Sequence, residues 1–131
     1  MKINIKKFFS FRDFGYIRST VMEKRTYTSI YGNIDYTYIK NVKYLNGLVV
    51  LDGAIVHKEY RGKGKFKVML KALLNEYPEG MDIQAAVITN KLTSMFERMG
   101  MVRVKSIEVW GSPANCKLLQ GKLDKSSLEN I

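Results

Sequence analysis

A chain of 131 residues, 46% hydrophobic and 11% aromatic, is one folded domain with a single core rather than a disordered segment. No stretch approaches the ~20 apolar residues of a membrane span, Met1–Phe9 lacks a signal-peptide core, and a lone Cys116 excludes an internal disulfide or a multi-thiolate zinc site. The expected setting is cytoplasmic, with no membrane and no metal, and the formal charge of +10 favours polyanionic partners such as nucleic acid, acidic protein or a phosphorylated ligand.

In chain order, Thr26 to Tyr31 is rich in β-branched and aromatic residues, Gly32-Asn33 punctuates it, and Ile34 to Lys40 continues as a second strand. Tyr36 and Tyr38 alternate with Asp35 and Thr37, as same-face core packing requires. Asn46-Gly47 predicts a hairpin with a type I′ turn, because both residues tolerate positive φ. Leu48 to Val56 restarts the apolar run, with Gly53 marking a bulge or a close backbone approach. These segments predict an antiparallel meander.

A basic loop follows, Lys58-Glu59-Tyr60-Arg61-Gly62-Lys63-Gly64-Lys65. Behind it Phe66, Met69, Leu70, Leu73, Leu74 and Tyr77 form one apolar helix stripe, with Lys67, Lys71 and Asn75 opposite, until Pro78 and Gly80 stop it. Ile83 to Ile88 reads as a buried strand parallel to the one before the loop, giving a right-handed βαβ unit. Thr89 or Asn90 caps a second helix with the stripe Leu92, Met95, Phe96 and Met99, and Gly100 sits at its end. Val102 to Trp110 alternates as a strand and Cys116 to Leu123 is a last one. One domain over residues 1–123 and a frayed tail over 124–131 complete the expectation.

Glycines without a Cβ let N–H groups turn inward, and a helix N-terminus adds positive field at the same place. Gly62 and Gly64 before a helix therefore suit a phosphate or pyrophosphate, against the plainer reading of a basic turn before a solvated helix. The loop is not a P-loop, and G-x-G-x-x-G fails for want of a third glycine.

Arg61-Gly62-Lys63-Gly64-Lys65-Phe66 resembles the R-x-x-G-x-[G/A] loop of the GNAT superfamily of N-acetyltransferases. Val56 to Gly64 is similar to that family's V-x-P-x-Y-R-G-x-G, with Lys58 for the proline. Asn90 to Met101 is similar to its N-x-x-A-x-x-L-Y-x-K-x-G-F, one residue short before the aromatic. The resemblance covers Leu48 to about Val104. It implies an α/β (α+β) fold in which an antiparallel meander leads into a βαβ unit with a pyrophosphate loop. It also implies acetyl-CoA as cofactor and an amine-bearing acceptor. Main chain at Ile55, Val56 and His57 would hold pantetheine, as an added strand is held. Arg61 and the N–H groups of Gly62, Lys63, Gly64, Lys65 and Phe66 would hold the pyrophosphate, with Asn90 and Phe96 on the second signature.

Direct transfer needs a base for the amine and a proton for the leaving thiolate. His57, the only histidine, and Asp52 are the candidate catalytic residues. Phe96 stands where many family members carry a proton-donating tyrosine, which leaves water, another tyrosine or no catalysis. Glu59 reads as a solvated loop charge and Cys116 as a small buried residue. Trp110 with Tyr27 and Tyr31 would make an aromatic wall. The alternative function is a non-catalytic module of the same fold that binds nucleic acid or a protein surface through its basic face.

Overall fold

The computed structural model describes residues 20–109 and 115–131. The amino-terminal stretch and Trp110, with the aromatic wall it would complete, lie outside them. The described residues form a mixed α+β architecture: a six-stranded, mostly antiparallel sheet and three helices.

Strands β1 (Val21–Ser29) and β2 (Gly32–Lys40) pair antiparallel from Val21 opposite Lys40 to Ser29 opposite Gly32. The turn between them is fixed by Gly32, whose φ is 149°. A Cβ there would lie 1.9 Å from the carbonyl oxygen of Ile55, so only glycine lets the neighbouring strand approach. That neighbour is β3 (Leu48–Val56), antiparallel to β2.

The β2–β3 connection corrects the two-residue type I′ hairpin expected at Asn46-Gly47. Positive φ falls on Gly47 (92°) and not on Asn46, and the N–H of Gly47 donates to the carbonyl of Tyr44 at 3.0 Å. The loop is longer because it buries Tyr44, 4% exposed. The side chain of Asn41 ties it by accepting from the N–H groups of Lys43 and Tyr44 at 2.8 and 3.0 Å.

Helix α1 (Lys65–Asn75) buries Met69, Leu70, Leu73 and Leu74 completely, as their spacing dictates. Strand β4 (Asp82–Val87) then lies parallel to β3. Helix α2 (Asn90–Arg98) is capped by Thr89, whose hydroxyl accepts from the N–H of Leu92 at 3.2 Å, and Gly100 leaves it with φ 93°. Strand β5 covers only Val102–Val104, shorter than the alternation suggested. Strand β6 (Lys117–Lys122) inserts between β4 and β5, so the sheet order is β1-β2-β3-β4-β6-β5.

The sheet is buried on both faces. Ile34, Tyr36, Val49, Leu51, Ile83 and Ala85 share one core with the stripes of α1 and α2. Met22, Ile39, Leu48, Val50, Tyr44, Ile107 and Leu118 form the other. Residues 124–131 do not fray as expected. Helix α3 (Lys125–Leu128) is capped by Asp124, which accepts from the N–H of Ser126 at 3.0 Å, and buries Leu128 in the first core.

Gly32→Ala is expected to destabilise by at least ~2 kcal/mol, since it combines a strained φ with a backbone clash. Gly53 has no atom within 4 Å of a built Cβ, so Gly53→Ala should stay within about 1 kcal/mol of the parent. Urea unfolding midpoints of the two variants test the contrast.

Candidate functional site

Strands β3 and β4 pair only from Leu48 opposite Asp82 to Leu51 opposite Ala85. The cause of their separation lies on the other edge of β3. Asp35 faces Gly53 whereas Tyr36 faces Leu51, so Asp52 is an extra, bulged residue. A bulge bends and twists its strand, and here it leaves the β4-facing edge of Asp52 to Val56 without a strand partner. Burial records the change, from complete at Leu48 to Val50 to 57% exposure at Ile55.

The gap is a cleft of about 580 Å³. Leu51, Asp52, Gly53, Ala54 and Val56 line one side, and Ala85, Ala86 and Val87 the other. Its mouth is built by the basic loop. After His57 a single 3₁₀ turn, Lys58–Tyr60, reverses the chain. The guanidinium of Arg61 then folds back and donates from Nε to the carbonyl of Val56 at 2.9 Å. Gly62 and Gly64 take φ of 75° and 72°, and Gly64 is the N-cap of α1 with no side-chain cap. No described residue accepts a hydrogen bond from the N–H groups of Gly62 to Lys67. Every helix starts with unsatisfied donors; here they open beside a cleft whose lining holds Arg61, Lys65, Lys67, Lys91 and Arg98 against one carboxylate, Asp52. The loop is braced by Tyr31, whose ring meets Tyr60 edge-on at 5.0 Å and lies 4.6 Å from the ammonium of Lys65.

Asp52 is the only carboxylate among the residues that line the cleft. One carboxylate oxygen, Oδ2, accepts from the hydroxyl of Thr37 at 2.7 Å and stands 3.7 Å from the ammonium of Lys24. The other, Oδ1, is buried and has no hydrogen-bond partner among the described residues. A buried polar atom without a partner is uncommon in a folded protein.

The remaining sequence candidates divide. Val56, Arg61, Gly62, Gly64, Lys65, Phe66 and Phe96 line the cleft with Asp52. His57, Ile55, Lys63 and Asn90 are exposed and do not. The N–H of His57 donates to the carbonyl of Tyr31 at 2.8 Å, a strand-end contact, and the structure does not bring its imidazole together with Asp52 in the cleft lining. Asn90 accepts a short hydrogen bond from Lys117. Of the two cap candidates, Thr89 is the residue that caps α2, and Asn90 is its first helical residue. Glu59 is exposed, and Cys116 packs half-buried against the second core. Among the described residues no group of His, Cys, Asp and Glu could hold a metal ion.

Sequence reasoning missed Lys91, Ser94 and Arg98, which α2 turns toward the cleft. Their signal was the i, i+3, i+7 spacing beside the apolar stripe. Tyr60, passed over as part of a loop, also lines the mouth. No protein family, curated protein or solved structure matches the chain.

Thr37 is fully buried. Thr37→Val should cost about 1–3 kcal/mol, because it leaves a mostly buried carboxylate oxygen without its donor. Thr26→Val removes an equivalent bond to Asp35 on an exposed surface and should cost less than about 1 kcal/mol. Chemical denaturation of both distinguishes a buried polar contact from a solvated one.

Proposed function

We propose that this chain is an N-acyltransferase of GNAT type that takes its acyl group from acetyl-CoA and delivers it to an amine. The observation that carries the reading is the parting of β3 and β4 at the Asp52 bulge, directly upstream of a glycine loop whose helix donors are uncapped. The cofactor's shape fits these residues. An extended amide chain can take the hydrogen bonds that Gly53 to Val56 do not make with β4, as an added strand would. Its phosphates suit the N–H groups from Gly62 to Lys67 and the cations Arg61, Lys65 and Lys67. Gly53 has open space where a Cβ would stand, so its backbone is accessible to a ligand.

Acetyl-CoA, when bound, supplies an activated thioester. Asp52, the one carboxylate of the cleft lining, is the base for the acceptor nitrogen, while Thr37 and Lys24 hold it through Oδ2. Phe96 lines the cleft but has no proton to give, so water reaching the open cleft protonates the departing sulfur. Arg61 has a double task, since its Nε bond to Val56 ties the mouth of the cleft to the end of the diverging strand.

Calorimetric titration tests the reading. Acetyl-CoA should bind in the micromolar range, about −8 kcal/mol, and Arg61→Ala should weaken it by roughly 1.5–3 kcal/mol. With a panel of amines, Asp52→Asn should leave this binding in place and slow transfer by about 10²-fold or more. Absence of heat at millimolar acetyl-CoA would remove the acyltransferase and favour the binding module.

Phe96 provides a separate check. Phe96→Tyr should preserve or raise turnover, because it restores a hydroxyl at the cleft wall. A loss of a hundredfold with folding intact would make Phe96, 2% exposed, a core residue only.

A further inference from the structure

Lys58, Arg61, Lys63, Lys65, Lys67 and Lys71 crowd one loop and helix, with Glu59 the only acid from Lys58 to Lys71. No ion pair among the described residues uses any of them. Arg61, Lys65 and Lys67 line the cleft, whereas Lys58, Lys63 and Lys71 lie outside it. The placement works against the helix itself. Lys65 and Lys67 occupy the first turn of α1, where the macrodipole disfavours cations, and no acid offsets them there. Lys67 and Lys71 then repeat at i, i+4, a like-charge spacing that also destabilises a helix. A ligand in the cleft can answer Lys65 and Lys67, but Lys71 lies outside it, and an anion with several regularly spaced charges relieves the Lys67–Lys71 repulsion from the outer side.

We propose that Lys58, Lys63 and Lys71 form a docking surface for the phosphate backbone of nucleic acid, beside the mouth of the cleft and outside it. This does not rest on the acyltransferase reading. Nucleic acid is favoured over an acidic protein because protein interfaces are anchored by buried aromatic and apolar residues. On α1 only Val68 is an exposed large hydrophobic; the other exposed positions are Ala72 and Asn75, beside the half-buried Lys65, Lys67 and Lys71. Phosphate contacts need no such anchor and are made by lysines at the surface.

The test is fluorescence anisotropy of a short labelled DNA duplex, titrated with the full chain across a range of salt. Each neutralised phosphate contributes about −0.9 to the log–log salt slope, so three lysines predict at least about −2.7. The double variant Lys58→Gln/Lys71→Gln should make that slope shallower by about 1.8, with folding verified by circular dichroism. Saturating coenzyme A should leave DNA binding in place, because these lysines do not line the cleft. No binding at low salt, or an unchanged slope in the folded double variant, overturns the proposal. Loss of DNA on adding coenzyme A overturns it too, by placing the DNA inside the cleft. Poly-glutamate binding as tightly as DNA at the same ionic strength assigns the surface to an acidic protein instead. Should the double variant not fold, the parent's salt slope and the coenzyme A arm decide the outcome.

Discussion

One inserted residue in β3 governs the geometry of this protein. Asp52 has no opposite number on β2, so the strand must bend at that point, and the bend falls where β3 stops pairing with β4. A parallel pair normally runs on as far as both strands do, because each unpaired N–H and C=O in a protein interior is costly. Here the strands separate while β4 continues along β6 to Val87. The bulge therefore makes a cleft, exposes the end of β3, and sets Asp52 in the cleft lining, all by one change of register.

What holds the two sides of the gap is different in kind. On the β3 side the polar contacts are few and local: Thr37 on Asp52, Arg61 on Val56, and Tyr31 against Tyr60 and Lys65. On the β4 side Gln84 is 1% exposed and fully engaged. Its amide nitrogen donates to Tyr44 and Gln120, and its oxygen accepts from the N–H of Glu108 at 2.8 Å. Glu108 in turn accepts from Tyr44 and Lys43. A satisfied buried network of this sort fixes one arrangement of the chain around it, which makes the β4 wall the stiffer one. At the far edge of the sheet Arg25, Tyr36 and Tyr77 make a comparable knot, in which the Tyr77 hydroxyl accepts from Arg25 and shares a hydrogen bond with the Tyr36 hydroxyl, both at 2.7 Å. Burial first, and the Tyr36 bond next, hold that phenol well above its ordinary range, so it stays neutral and anchors the end of α1 to β1 and β2.

The mouth of the cleft gives up some helix stability. Gly64 caps α1 without a side chain, the first turn carries lysines and no acid, and positive φ at Gly62 and Gly64 is tolerable because both lack a Cβ. An asparagine or aspartate cap would satisfy these donors internally. Left open, they favour an anion at that position, and the same logic extends to the lysines beyond the cleft.

Local chemistry was legible in the sequence. The α1 and α2 stripes, a cap at Thr89 or Asn90, the glycine at the end of α2, the meander and the parallel strand all depend on residues within a few positions of one another, where spacing and side-chain type decide the outcome. Gly53 announced an irregularity, although the bulged residue is Asp52 beside it. Other features were not local. Tyr44 lengthens the β2–β3 loop because its burial depends on Gln84 and Glu108, distant in sequence. The last residues fold because Leu123 and Leu128 find the first core and the N–H of Gly80 donates to Leu123. His57 and Asp52 were equal candidates on sequence, yet the bend that places Asp52 in the cleft lining leaves His57 outside it. Which face of a strand a residue occupies past a bulge depends on register, and register is set by the whole sheet rather than by the segment that carries it.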